Sequence, residues 1–126
     1  MYRWFFVIFA GLMISQANAA SMDQTLLKLD PEERARQVCI LKGIIDINRS
    51  KKLKQVDRLK TSILSQATYD GKTVATKGGA VRAKDRWYRI KFTCAVTSDQ
   101  MKATSFEYEI GPEIPESDWE DLGLWK

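Results

Sequence analysis

The chain has 126 residues, a formal net charge of +4, two cysteines and no histidine. This length suits one domain, and so mild a positive charge does not indicate nucleic acid as a partner. The lack of histidine removes the commonest general base and the commonest metal ligand. We therefore expect a protein that is not an enzyme and that uses no metal and no cofactor.

The N-terminus has the features of an export signal. Arg3 provides a positive start, residues 4–14 form an apolar run, and A-N-A at residues 17–19 has the small-x-small form of a cleavage site. The run is shorter than the roughly 20 residues that cross a bilayer as a helix, although an uncleaved anchor is the alternative. We predict a signal peptide over 1–19, a single α+β domain over 20–126, no transmembrane segment after cleavage, and a periplasmic or envelope location.

Both cysteines, Cys39 and Cys94, lie in the predicted mature chain. An even pair in an oxidising compartment favours one disulfide. Two free thiols or part of a metal site are the alternatives at this point. A disulfide would close a loop of 55 residues and stabilise the fold by about 4 kcal/mol in the chain-entropy model.

Residues 30–50 predict an amphipathic helix. Asp30 is a good N-cap, Pro31 suits the first helical position, and Glu33 stands where a capping box has its acid. Apolar side chains then recur at three- and four-residue spacing, which predicts one buried face. That face is expected to contain Ala35, Val38, Cys39, Leu41 and Ile45.

The middle of the chain is less clearly patterned. Residues 51–69 fit a helix and a strand nearly equally well. Asp-Gly at residues 70–71 is typical of a tight turn, and Lys-Gly-Gly at residues 77–79 is typical of a loop. Residues 80–85 predict a short strand followed by a turn.

The stretch R-W-Y-R-I-K-F-T-C-A-V-T, residues 86–97, has the most regular alternation. Its even positions from 88 to 96 are apolar, Cys94 among them, and its odd positions are mostly polar or basic, which predicts a half-buried strand. Residues 104–110 alternate in the same way. Their apolar face holds Phe106, Tyr108 and Ile110, and their polar face holds Glu107 and Glu109.

The last two strands are expected to pair with their apolar faces aligned. This alignment would bring Arg89 and Lys91 near Glu109 and Glu107, where opposite charges add a few tenths of a kcal/mol each.

Gly-Pro at residues 111–112 is expected to end the second of these strands, and residues 115–123 predict a short helix. The predicted architecture is α+β: an N-terminal amphipathic helix packed on a three- to four-stranded antiparallel sheet, a short C-terminal helix and one disulfide. Periodicity places Cys39 and Cys94 on buried faces independently, which supports this packing.

Four motifs in this order resemble one family. They are L-D-P-E-E-R-A-R-Q-V-C from Leu29 to Cys39, W-Y-R-I-K-F-T-C from Trp87 to Cys94, M-K-A-T-S-F-E-Y-E-I-G from Met101 to Gly111 and I-P-E-S-D-W-E-D-L-G-L-W from Ile114 to Trp125. The chain resembles the family of domain of unknown function 930, small exported or envelope-associated proteins of Gram-negative bacteria with no established activity. The resemblance implies a family pair of cysteines at Cys39 and Cys94 and a strand around residues 59–67.

Charge is segregated along the chain, with cations crowded into residues 49–60 and acids concentrated after residue 106. The two blocks can pair with each other or be merely solvated. The functional hypothesis is a basic face for an acidic protein or for anionic lipid or lipopolysaccharide. The candidate binding residues are Lys51, Lys52, Lys54, Arg58, Trp87, Arg89 and Lys91.

Trp87 falls on the polar face of its strand. It is either an exposed contact residue of the kind enriched at interfaces or a residue covered by the terminal segment through Trp125. Two other functions are alternatives to binding. One is an assembly accessory protein of the envelope, by analogy of fold; the other is a small hydrolase with Glu107 and Glu109 as acid and base.

Overall fold

A computed structural model describes residues 21–126. The predicted signal peptide, residues 1–19, lies outside the described residues. Residues 21–27 are helical and lead into the long helix α1 (Pro31–Ser50). The elements that follow are β1 (Val56–Lys60), β2 (Thr68–Tyr69), β3 (Thr73–Ala83), β4 (Arg86–Val96), β5 (Ala103–Glu113), a 3-10 turn (Glu116–Asp118) and α2 (Trp119–Leu122).

Helix α1 begins as predicted. The Asp30 carboxylate accepts a hydrogen bond from the Glu33 backbone N–H at 3.0 Å, and Pro31 occupies the first turn. Its buried residues are Ala35, Val38, Cys39, Gly43 and Ile47. Four of these five recur every fourth residue, so the sheet covers a narrow ridge of the helix.

The buried face of α1 is therefore narrower than the sequence predicted. Leu41 and Ile45, which were expected to be buried, are 39% and 49% exposed. They lie on the flank of α1, beyond the ridge that contacts the sheet.

All strand pairs are antiparallel, in the order β1-β3-β4-β5, with β2 also paired to β3. Helix α1 packs on one face of this sheet. The Cys39–Cys94 disulfide is confirmed and joins α1 to β4, with a Cα–Cα distance of 6.0 Å. The predicted α+β architecture is confirmed. In residues 21–126 no helix has the length and apolar character needed to cross a membrane.

The predicted loop at residues 77–79 is wrong, because these residues continue β3 through a bulge between Thr76 and Gly79. Gly78 is needed there: a Cβ at this position would lie 2.5 Å from the Ser65 backbone nitrogen. Of the strand implied around residues 59–67, only residues 59–60 are extended, at the end of β1, and residues 61–67 are irregular.

The turn at residues 70–71 is confirmed. The Asp70 carboxylate accepts the backbone N–H groups of Lys72 and Thr73 at 2.9 and 2.7 Å, and Gly71 has φ +97°. Strand β5, by contrast, runs past the predicted stop at residues 111–112 to Glu113. An edge strand tolerates proline because the missing N–H is not needed for pairing.

The outer face of the sheet, opposite α1, has a second apolar cluster. Its buried members are Ala80, Trp87, Ile114, Trp119 and Leu124. The C-terminal segment covers this face: the Trp87 indole N–H donates to the Trp125 carbonyl at 2.7 Å, and the Trp119 indole N–H donates to the Ile114 carbonyl at 2.9 Å. Trp87 is fully buried, so its candidate role as an exposed contact residue is wrong, and its alternative as a covered residue is confirmed.

Candidate functional site

A groove rich in cations lies between the loop that follows α1 and the β3–β4 turn. It has a volume of about 580 Å³. We call it the basic groove and define it by Lys51, Lys52, Leu53, Lys54, Ala83, Lys84, Arg86 and Tyr88. Five of these lining residues are cations, and within the described part of the chain none is a carboxylate.

The first wall of the groove is the loop at residues 51–55, and its two ends are fixed. Just before the loop, the Asn48 side-chain amide donates to the Val56 carbonyl at 3.0 Å, and its oxygen accepts the Val56 N–H at 2.8 Å. The Ser50 hydroxyl donates to the Ile47 carbonyl at 2.7 Å. These bonds close the loop tightly, so the three lysines project from a defined backbone.

The second wall is the two-residue turn between β3 and β4. Lys84 and Asp85 both have positive φ, 52° and 63°, as a type I′ hairpin turn requires. Arg86 opens β4 and shares its face with Tyr88, because side chains two apart in a strand point the same way. Both side chains therefore lie on the α1 side of the sheet, next to the loop.

Few carboxylates balance the groove. Arg86 pairs with Glu113 at 3.4 Å, and both side chains are largely exposed. In residues 21–126, none of the four groove lysines has a carboxylate oxygen within 4.0 Å. At its four lysines the groove is consequently a site where an incoming anion would meet cations without displacing an internal carboxylate.

Residues 26–124 match the family described as Domain of Unknown Function (DUF930). The chain belongs to this family. The matched DUF930 region contains α1, all five strands, the disulfide and the whole basic groove. Neither a curated protein nor a solved structure matches the chain.

The DUF930 fold brings three of the predicted binding residues together, Lys51, Lys52 and Lys54. Arg58 is exposed on β1 and does not line the groove. Lys84 and Arg86 were not among the predicted binding residues. The signal for Arg86 was present, because it has the same strand parity as Tyr88 and so faces the end of α1.

Arg89 and Lys91 lie on the opposite face of the sheet from the basic groove. Lys91 is directly across from Glu109, as β4–β5 pairing places it, but a register shift between Tyr88 and Ile90 leaves Arg89 beside Gly111. In the described chain no ion pair within 4.0 Å joins Arg89 or Lys91 to Glu107 or Glu109. The predicted pairs Arg89–Glu109 and Lys91–Glu107 are therefore wrong in register, because Lys91 lies opposite Glu109 and Thr93 lies opposite Glu107.

Glu107 and Glu109 line a separate groove of about 510 Å³ on the outer sheet face, together with Lys77 and Lys91. Both glutamates are exposed, so neither has the apolar enclosure of a general acid. Among residues 21–126 no group of three His, Cys, Asp or Glu side chains is arranged to hold a metal ion. The mixed charge of this second groove makes it a weaker candidate for an anion than the basic groove.

The lone acid of the basic segment, Asp57, is already engaged. Arg82 donates to its two carboxylate oxygens at 2.9 and 2.7 Å. This bidentate pair holds the pKa of Asp57 below its usual value, chiefly through the hydrogen bonds from Arg82. Because Asp57 is committed to Arg82, it does not neutralise the groove lysines.

Proposed function

We propose that this DUF930 protein is an exported, non-catalytic binding module whose basic groove receives an anionic component of the cell envelope. Phospholipid headgroups and lipopolysaccharide phosphates are the first candidates, and an acidic protein is the second. One observation supports the proposal most strongly. Two separate segments, the loop after α1 and the β3–β4 turn, place five cations around one groove that no carboxylate lines in the described chain.

The compartment in this proposal is supported by two features. The disulfide between Cys39 and Cys94 fits a location outside the reducing cytoplasm. The pattern of residues 1–19 is that of an export signal. An envelope location would place the groove within reach of anionic lipid surfaces.

The expected affinity and its salt dependence follow from electrostatics. A lysine near an anionic membrane surface contributes roughly 1 kcal/mol, and this attraction decays within a Debye length. Three groove cations would then account for a change in affinity of roughly 100-fold. Such binding must weaken steeply as salt rises from low to physiological concentration.

The test uses vesicles of phosphatidylcholine with and without phosphatidylglycerol, at low salt and at about 0.15 M salt. The groove variant replaces Lys52, Lys54 and Arg86 with glutamine. A matched control replaces three exposed lysines outside the groove with glutamine: Lys72, Lys77 and Lys102. Both variants lose the same formal charge, so they separate a local site from net charge.

We expect wild-type protein to bind the anionic vesicles at low salt and to lose most of this affinity at physiological salt. The groove variant should bind roughly 100-fold more weakly than wild type, and the control should stay much closer to wild type. Equal losses in the two variants would refute a localised groove. Binding that ignores salt would refute the electrostatic basis of the proposed function.

A further inference from the structure

Two lysines of the basic groove have a backbone conformation that does not favour lysine. Lys51, at the C-cap of α1, has φ 63° and ψ 11°. Lys84, the first residue of the β3–β4 turn, has φ 52°. Both are in the left-handed region, where an L side chain crowds the following carbonyl oxygen.

Other residues would suit both positions better. Helices very commonly end with glycine in this conformation, and the first position of a type I′ turn favours asparagine, aspartate or glycine. Lysine has neither the missing Cβ of glycine nor a short side chain that bonds to its own backbone. On stability alone, glycine is the better residue at positions 51 and 84.

The two strained lysines meet in one place. Within residues 21–126, the non-glycine residues with positive φ are Lys51, Gln55, Lys84, Asp85 and Gln100. The two lysines of this set both line the basic groove, one from each wall. Backbone strain that persists at a cluster of cations points to a use for those side chains.

The donors that the groove offers also indicate a class of ligand. Of the residues that the structure describes, Arg86 is the only arginine that lines the groove, and its guanidinium group already contacts Glu113. The other four cations of the groove are lysines. The guanidinium of arginine binds carboxylate and phosphate alike through two parallel hydrogen bonds, whereas a lysine ammonium binds phosphate oxygens as a compact point charge with no fixed geometry. A groove of lysines can therefore accept a phosphate in several orientations. The groove volume of about 580 Å³ lies in the range of sites for compact ligands.

Building on the proposed function, we propose that Lys51 and Lys84 bind a phosphate-bearing group directly in the basic groove and are retained there against the backbone preference for glycine. The phosphate is that of a lipid headgroup or of a free polyphosphate. The inference predicts an opposition between stability and binding at these two positions. Replacement by glycine relieves the backbone strain at positive φ and removes the positive charge at the same time.

The experiment compares the double variant Lys51→Gly, Lys84→Gly with wild type. The Tm is measured in about 1 M salt, where a Debye length of roughly 3 Å suppresses any gain from reduced repulsion between cations. We expect the Tm to rise by about 2–5 °C for each glycine. Binding of tripolyphosphate, measured by calorimetry at low salt, should weaken at least tenfold.

Two matched controls separate backbone from charge. Gln55→Gly relieves the same strain at φ 60° and removes a side chain that does not line the groove. The Tm should therefore rise, and because every groove cation is kept, phosphate binding should weaken far less than tenfold. Lys51→Arg with Lys84→Arg keeps both the charge and the strained backbone. This variant should keep its phosphate affinity within a few-fold and its Tm close to that of wild type.

The arms of the experiment have distinct meanings. Binding of phosphatidylglycerol vesicles alone supports a lipid headgroup as the source, binding of tripolyphosphate alone supports a free polyphosphate, and binding of both supports recognition of the phosphate group itself. Tighter binding of poly-glutamate than of tripolyphosphate would overturn that class. If the glycine variant binds phosphate as wild type does while the Lys52, Lys54, Arg86 variant does not, the inference fails and the proposed function stands. If wild type binds none of the probes, the proposed function itself fails.

Discussion

The burial of Trp87 gives the sharpest prediction about stability. Its ring is fully buried under the C-terminal segment, its N–H donates to the Trp125 carbonyl at 2.7 Å, and the two rings meet edge to face at 6.0 Å. Replacing a buried tryptophan with alanine costs about 3–5 kcal/mol. For a domain of this size 1 kcal/mol corresponds to about 4–8 °C in Tm, so Trp87→Ala should lower the Tm by at least 12 °C or so.

Two milder substitutions separate the contributions to this loss of stability. Trp87→Phe keeps an aromatic ring but leaves the Trp125 carbonyl without its donor, which should cost about 1–2 kcal/mol. Trp125→Ala keeps that backbone carbonyl and removes a half-exposed ring that lies 4.3 Å from the Lys60 ammonium, so it should cost about 1 kcal/mol or less. The assay is urea denaturation of the oxidised proteins, with the free energy of unfolding extrapolated to water. A Trp87→Ala variant within about 0.5 kcal/mol of wild type, the range of ordinary surface substitutions, would refute the second apolar cluster.

Three further perturbations test the rest of the fold. Cys39→Ser should lower the free energy of unfolding by about 4 kcal/mol under oxidising conditions, because the disulfide closes a 55-residue separation; reduced wild type should match it, and an unchanged stability would contradict the disulfide. Gly43→Ala should destabilise by about 1 kcal/mol despite the higher helix propensity of alanine, since its Cβ would meet the Phe106 ring at 2.6 Å; a stabilised variant in thermal melts would show that α1 packs elsewhere. Asp57→Asn should cost roughly 1 kcal/mol near neutral pH, the upper end for an exposed ion pair, because the geometry is bidentate but the Asp57 side chain is 56% exposed to screening solvent. Because the folded-state pKa of Asp57 is lowered, this contribution exists above its ordinary value of 3.8 and disappears as the pH falls through the lower folded value; a difference between variant and wild type that persists in acid would refute it.

Much of the fold was predictable because the residues carry local signals that tertiary packing does not override. Asp30 and Pro31 define a helix start through their own backbone and side chains, and the apolar even positions from 88 to 96 predict a strand with Cys94 on its buried face. The errors occurred where distant residues decide the outcome. Lys-Gly-Gly at residues 77–79 resembles a loop locally, but the Ile63 and Leu64 N–H groups both donate to the Gly78 carbonyl and keep it within a bulged strand.

The cations of the candidate site were predictable from the sequence, but their convergence on one groove was not. The run of lysines at residues 51–54 is visible in the sequence, and so is the charge bias that includes Lys84 and Arg86. Their convergence depends on where the β3–β4 turn lies relative to the end of α1, which no local pattern encodes. Trp87 illustrates the same limit, because alternation assigns it to the polar face of β4 and only the return of the C-terminal segment buries it.

One measurement tests the central claim most directly: the affinity of the oxidised wild-type protein for phosphatidylglycerol vesicles, set beside that of the Lys52, Lys54, Arg86 variant and of its charge-matched control. The basic groove predicts a roughly 100-fold loss in the groove variant at low salt, a much smaller loss in the control, and convergence of all three proteins as salt screens the charges. Equal affinities for the groove variant and the control would contradict a binding module built on this groove.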